Sequence, residues 1–248
     1  MDRFLESRNE TIRQITRSLN SAKRLFISSI VIGEESIGKE TLVRKIFSEL
    51  PVVSAKNVDL VTEILTQNSE VIITDFEYFS YPSGIELNKK RIVATAGMGV
   101  DEKRLDDIFA FIYHMPSLSD RPEDIPLFAD HFLENAKREL MIEGETVLDY
   151  DALNLSENLL SLKASVYREA VWQDIDEREL EKALYSYFKK TLSGDDTDAY
   201  RKNLGIFERA LIEAGLELYG SQLRLSEILG INRNTLRKKI NEYDIHRL

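Results

Sequence analysis

The chain has 248 residues, 43% of them hydrophobic and 31% charged, with a formal net charge of −10 and no cysteine. That length allows one large domain or two to three small ones, and the composition is that of an ordinary globular protein with a real core. Without cysteine there are no disulfides and no thiolate metal sites. The absence fits a reducing, cytoplasmic setting, while the acidic balance taken alone argues weakly against nucleic acid as a partner.

Residues 10–24 place Ile12, Ile15, Leu19 and Ala22 at three- and four-residue spacing, which predicts an amphipathic helix. Leu25 to Ile32 predicts a buried strand closed by Gly33. That run is interrupted by Ser28 and Ser29 and is too short to span a bilayer. The charged first residues, Met1 to Asn9, carry no apolar run, so neither a secretion signal nor a membrane partner is expected. Glu40 to Leu50 reads as a helix stopped by Pro51, and Glu70 to Thr74 and Arg91 to Thr95 read as two further strands. Strands alternating with helices predict a parallel α/β sheet. From Arg121 the strand signal fades, and Asp124 to Leu140, Ser156 to Trp172 and Glu177 to Lys190 read as helices. Ser193 to Asp198 is small, polar and acidic and predicts a linker. Three more helices follow, at Leu204 to Leu218, Arg224 to Leu229 and Arg233 to Tyr243.

The last of these segments carry the strongest signal. Arg224 to Leu229 forms a short helix, Gly230 supplies a tight turn, Ile231 plugs that turn, and Asn232 is a good N-cap for the next helix. That helix buries Leu236 and Ile240 and leaves Arg233, Asn234, Arg237, Lys238 and Lys239 on more exposed faces. Arg233 to Lys239 holds four basic residues and no acidic one, and such a local patch matters more for DNA than the whole-chain sum. A helix so presented enters the major groove with its N-terminal residues at base edges. Arg233 and Asn234 are the candidates for bases, and Arg237, Lys238 and Lys239 for phosphates. Arg224, Asn232 and Thr235 complete the candidate DNA-binding set.

Over about 25 residues the stretch resembles the C-terminal domain of Fis and of the NtrC-like activators, with "LGINRNTLRKK" intact. Ser221, Leu223, Leu225 and Ser226 depart from that pattern, all before the turn. The resemblance implies double-stranded DNA as a partner. It also implies dimerisation through the preceding helix, Leu204 to Leu218, which would set two recognition helices against half-sites about one helical turn apart.

Further upstream, Gly33-Glu34-Glu35-Ser36-Ile37-Gly38-Lys39 fits G-x-x-x-x-G-K between a strand and a helix, the context a phosphate-binding loop requires. Backbone N–H groups at the helix start would hold phosphate oxygens and Lys39 would reach the terminal phosphates. The loop resembles the Walker A "GESGTGKE" of sigma-54-dependent activators, in which Glu follows Lys as Glu40 does here. Met115 to Leu127 resembles their "LPPLRERREDIPLL", and His131-Phe132-Leu133 continues it. The resemblance implies an AAA+ core with a helical lid over residues 1 to about 172.

The departures from that family bear on hydrolysis. Its Walker B "LFLDE" appears as Ile72-Ile73-Thr74-Asp75-Phe76, so the magnesium Asp is kept and the water-polarising Glu is lost. Glu77 lies two residues past Asp75 and would share its face if the strand continued. No "GAFTGA" loop occurs. Glu102 and Ile108 stand where arginine fingers are expected, Leu160 where the sensor arginine is expected, and Ala96 at the polar sensor. Hydrolysis needs a positioned water, a base and charge on the γ-phosphate. The expectation is therefore a non-hydrolysing pseudo-ATPase with no catalytic residue. Gly33, Gly38, Lys39 and Asp75 are the nucleotide-binding candidates, for ATP or ADP with magnesium. A relic loop that only connects a strand to a helix is the other reading, and both stay open.

His114, His131 and His246 have no companion at metal-ligand spacing. Trp172 with Tyr167, and Tyr185 with Phe188, are read as core or interface pairs. The expected organisation is a degenerate P-loop core at 1–114, a helical lid at 115–172, a helical linker at 173–199 and a Fis-type helix-turn-helix domain at 200–248. The expected function is a dimeric or higher-oligomeric, sequence-specific transcription regulator. The rival is an interaction module that modulates a competent activator or an RNA polymerase component.

Overall fold

The computed structural model describes residues 6–245 except 83, 102, 104 and 193–196. The chain divides into two compact units, 1–175 and 176–248. Most of the expected acidic linker, the aligned Glu102 and His246 lie outside the described residues.

The first unit is a parallel five-stranded sheet with helices on both faces. Its elements run α1 (Glu10–Leu25), β1 (Ser29–Ile32), α2 (Lys39–Ile46), β2 (Val52–Ser54), α3 (Val58–Gln67), β3 (Glu70–Thr74), β4 (Arg91–Ala96), β5 (Phe111–His114), α4 (Ile125–Leu140) and α5 (Leu159–Asp174). The strand order is β2-β3-β4-β1-β5, and every pairing is parallel. Alternate residues of each central strand enter opposite layers. Ile30, Ile32, Val71, Ile73, Ile92 and Ala94 join one cluster with Val61 and Leu65 of α3. Val31, Ile72 and Val93 join the other, with Ile12, Ile15 and Leu19 of α1 and Leu42, Val43 and Ile46 of α2. A sheet covered on both faces needs such continuous apolar strands.

Several boundaries differ from those the sequence suggests. The first strand is only Ser29–Ile32, because α1 runs to Leu25 and Phe26 caps it at φ 55°. The second helix ends at Ile46, well before Pro51. α5 starts at Leu159, because Asn158 has φ 53° and cannot be helical. β2, α3 and β5 add elements the periodicity did not yield. β2 has three residues and β5 four, with a mixed edge-strand burial pattern. α3 is rich in Val and Thr but is capped by Asn57 and buries Val61 and Leu65. The strand before Asp75 stops at Thr74, and Phe76–Tyr78 turns into a short 3-10 helix. The same-face argument for Glu77 therefore fails.

The lid, α4 and α5, packs around Leu118, Phe128, Leu153, Leu162 and Val166. Fully buried Arg121 lies 3.7 Å from the Asp124 carboxylate, which also accepts from the Ser7 hydroxyl at 2.6 Å. Burial lowers the Arg121 pKa, against the opposing pull of Asp124 and Glu123.

The second unit contains α6 (Glu177–Thr191), α7 (Ala199–Tyr219), α8 (Gln222–Ile228) and α9 (Arg233–Glu242). α6 opens with a capping box, Asp176 with Glu179. Among its described residues none is buried. Tyr185 is exposed, as is Trp172 in the first unit, so neither aromatic pair is a core pair.

Candidate nucleic-acid interface and phosphate loop

The helix-turn-helix is built by caps and a small apolar core. Gly220, at φ 61°, ends α7, and the Ser221 side chain accepts from the Arg224 N–H to start α8. Gly230, at φ 63°, makes the turn, a backbone shape that glycine adopts without a Cβ clash. The Asn232 side chain accepts from the Asn234 N–H at 2.8 Å and starts α9. Ile212, Leu225, Leu236, Ile240 and Ile245 form the buried centre, with Leu216, Leu229, Ile231 and Tyr243 against it. α7 and α8 approach closely at Gly215, where a Cβ would lie 2.3 Å from Leu225 Cδ1.

This packing turns one face of α9 outward. Arg233, Asn234, Thr235, Arg237 and Lys238 are exposed, and Gln222, Arg233, Asn234 and Arg237 line a polar notch. Gln222 was absent from the sequence-derived set. Its signal was its place beside the Ser221 cap, at the first position of α8. Arg224 lies with its guanidinium 5.6 Å from the Tyr219 ring centroid. Asn232 is exposed but its side-chain oxygen serves as the cap. Lys239 departs from the phosphate set: its ammonium is held by Glu208 of α7 at 2.5 Å, so the fold itself uses its charge.

In the first unit the phosphate loop follows β1, Asp75 follows β3, and Gly97 follows β4. All three sit at carboxyl ends of parallel strands, beside the point where β4 and β5 flank β1. Ligands of open α/β sheets bind at such a switch point. Each loop carbonyl from 33 to 38 has a donor. Lys39 Nζ donates to Gly33 O at 3.1 Å and Glu34 O at 2.7 Å. Asn158 Nδ2 donates to Glu35 O at 3.1 Å, Leu159 N to Ser36 O at 3.1 Å and Leu42 N to Gly38 O at 3.0 Å. Arg121 Nη2 donates to Ile37 O at 2.5 Å. The carbonyls of Glu35, Ser36 and Ile37, held from outside the loop, favour N–H groups that face the hollow, the arrangement of an anion nest, whereas Lys39 is spent on the loop's own Gly33 and Glu34 carbonyls.

Other features of the loop oppose an anion. Ile37 is fully buried and covers Gly33, where a Cβ would meet Ile37 Cδ1 at 2.3 Å. Burial lowers the Lys39 pKa, while Glu40, Glu77, Glu35 and Asp75 push it back up. The Glu77 carboxylate accepts from Gly97 N at 3.0 Å. Asn158 was also missed as a site residue. It donates to Glu34 Oε2 at 2.9 Å, its Oδ1 accepts from Leu118 N at 2.7 Å, and it thereby ties the lid to the loop.

The signature of the bacterial regulatory proteins of the Fis family matches residues 204–243. A Fis-like DNA-binding protein of Pseudomonas aeruginosa is 34% identical over 110 residues, covering 43% of this chain and 96% of its own length. The chain belongs to the Fis family. It also matches the regulator NtrC of Azospirillum brasilense, 30% identical over 166 residues, covering 53% of this chain and 34% of that protein. The chain thus spans about a third of that relative's length. NtrX of Brucella abortus, solved with ATP, shares the fold with a TM-score of 0.55 at 14% identity, covering 96% of this chain and 69% of that one. The first unit thus has a fold shared with NtrX, a parallel sheet with a helical lid, and the second carries the Fis-type helix-turn-helix.

Proposed function

We propose that the chain is a sequence-specific, DNA-binding transcription regulator whose AAA+-type core binds rather than works. The outward face of α9 carries the reading: Arg233, Asn234 and Arg237, with Gln222, form one exposed polar notch at the start of a capped helix. Base edges in a major groove suit that geometry. The Fis-like relative described as DNA-binding supports it.

Dimerisation is part of the proposal. Tyr200, Leu204, Phe207, Leu211 and Leu218 of α7 are exposed at spacings of four, three, four and seven residues. They form an apolar stripe that borders the side of Ile212 and Gly215, which face the helix-turn-helix core.

The core is proposed not to hydrolyse nucleotide. Glu77 is tied to Gly97 N, and Leu160 stands exposed where the resemblance puts an arginine. ATP or ADP is the ligand the loop would take, in line with the NtrX structures described with each. The fold resemblance extends no further than that.

Selection from random DNA with the full chain and with an Arg233→Ala/Asn234→Ala variant tests the reading. A palindromic motif recovered by the wild type and lost by the variant supports it. Equal, motif-free recovery by both contradicts it.

A second reading, a partner-modulating module, draws on α6, which has Leu180, Tyr185 and Tyr187 exposed, with Leu192 exposed at its C-cap. Co-purification of the full chain with a competent NtrC-like activator would support it. A stable homodimer that ignores such a protein would count against it.

A further inference from the structure

Magnesium in a P-loop site is held by a loop hydroxyl and by the acid at the end of a second strand, here β3. Whether it fits here is decided at Asp75. Lys39 is followed by Glu40, as in the activators the loop resembles, so the residue after the lysine does not decide it. Both Asp75 oxygens are engaged: Oδ1 accepts from Lys56 Nζ at 2.7 Å and Oδ2 from Ser54 Oγ at 2.6 Å. The Thr74 hydroxyl leans on Oδ2 as well, at 3.4 Å.

The sheet places this pair. β2 and β3 are neighbours with Ser54 opposite Thr74, and Ala55 N donates to Thr74 O at 2.8 Å. Lys56 therefore leaves β2 beside Asp75 as it leaves β3. Its ammonium also lies 5.1 Å from the Tyr78 ring centroid, a favourable site for a cation. The Asp75 backbone is held at φ 54°. Burial raises the Asp75 pKa, but the hydrogen bonds from Lys56 and Ser54 outweigh it and leave it lowered.

Magnesium demands near-octahedral oxygen ligands at about 2.1 Å. An ammonium 2.7 Å from the same carboxylate stands where that shell would form, and it repels a second cation. These residues do not fit the metal. We propose that Lys56 is a tethered cation that takes the divalent metal's place at Asp75. The inference deepens the non-hydrolysing reading and rests on it only for the identity of the site.

Mn²⁺ is the probe, titrated by electron paramagnetic resonance into the full wild-type chain, Asp75→Asn, Lys56→Met, and Lys56→Met/Asp75→Asn. Thermal unfolding verifies that each variant is folded. The expected result is little Mn²⁺ retained by the wild type. Lys56→Met should bind one equivalent at least about tenfold more tightly, as removal of a like charge some 4 Å away implies, and the double variant should lose it. Equal Mn²⁺ affinity in the wild type and Lys56→Met, whether tight or absent, overturns the inference. So does one equivalent in the wild type that Asp75→Asn alone removes. ATP turnover in the same samples separates the two claims. Turnover by the wild type sinks the non-hydrolysing reading, whereas tight Mn²⁺ binding by the wild type without turnover sinks only the role of Lys56.

Discussion

Lys239 and Glu208 join α9 to α7: the ammonium lies 2.5 Å from each carboxylate oxygen, and the Tyr243 hydroxyl donates to Glu208 Oε2 at 2.5 Å. This link fixes the recognition helix on the long helix behind it. Lys239→Ala should lower the stability of the helix-turn-helix by about 1 kcal/mol, the upper range for a partly exposed pair. Denaturant unfolding followed by circular dichroism checks this, and an unchanged midpoint would mean that the pair is only decorative.

The same link sets a pH dependence at both ends. Hydrogen bonds from Lys239 and Tyr243 lower the Glu208 pKa below 4.5. Its stabilisation is therefore present above pH 4.5 and lost as pH falls through the lowered value. The hydrogen bond to Glu208 pushes the Tyr243 hydroxyl up from 10.0 to about 12. That contribution is full below pH 10 and is lost as pH rises towards 12. Melting temperatures across pH should fall in both windows, and Tyr243→Phe should flatten the alkaline one.

Lys239 and Arg237 should also differ on DNA. Arg237 is exposed and lines the notch, whereas Lys239 is paired within the fold. Arg237→Ala should reduce the slope of log affinity against log salt by about 1. Lys239→Ala should change that slope less, once corrected for its loss of fold. Equal slope changes would return Lys239 to the phosphate contacts.

Asn158 holds the lid to the phosphate loop through Leu118 N, Glu34 and Glu35. Asn158→Ala leaves the buried Leu118 N–H without that acceptor and keeps a Cβ at φ 53°. It should cost roughly 1–3 kcal/mol. Asn158→Gly loses the same bonds but relieves the backbone, so it should cost less. If the two variants unfold at the same denaturant concentration, backbone strain at this position is not part of the cost.

What the sequence made legible was what chemistry leaves on the surface of a pattern. The cap at Asn232, the glycine at 230 and the apolar pair Leu236 and Ile240 specify the helix-turn-helix locally, and each has its expected place. β1, β3 and β4 declared themselves through β-branched runs. β2 and β5 did not, because strands of three and four residues are fixed by their neighbours rather than by their own pattern. Lys56, Asn158 and Lys239 acquire their roles from residues 19, 124 and 31 positions away, a relation that no local spacing encodes. The turn at Asp75 likewise hid behind a strand-like run, since only the left-handed backbone there shows that the strand has stopped.

The most direct test of the central claim is the binding of wild type and Asn234→Ala to a selected DNA site and to variants of that site, one base pair at a time. The reading of α9 as a recognition helix predicts that Asn234→Ala loses about 1–3 kcal/mol on the selected site and relaxes preference at one position of each half-site. A uniform loss on selected and random DNA alike, with no position relaxed, would contradict it.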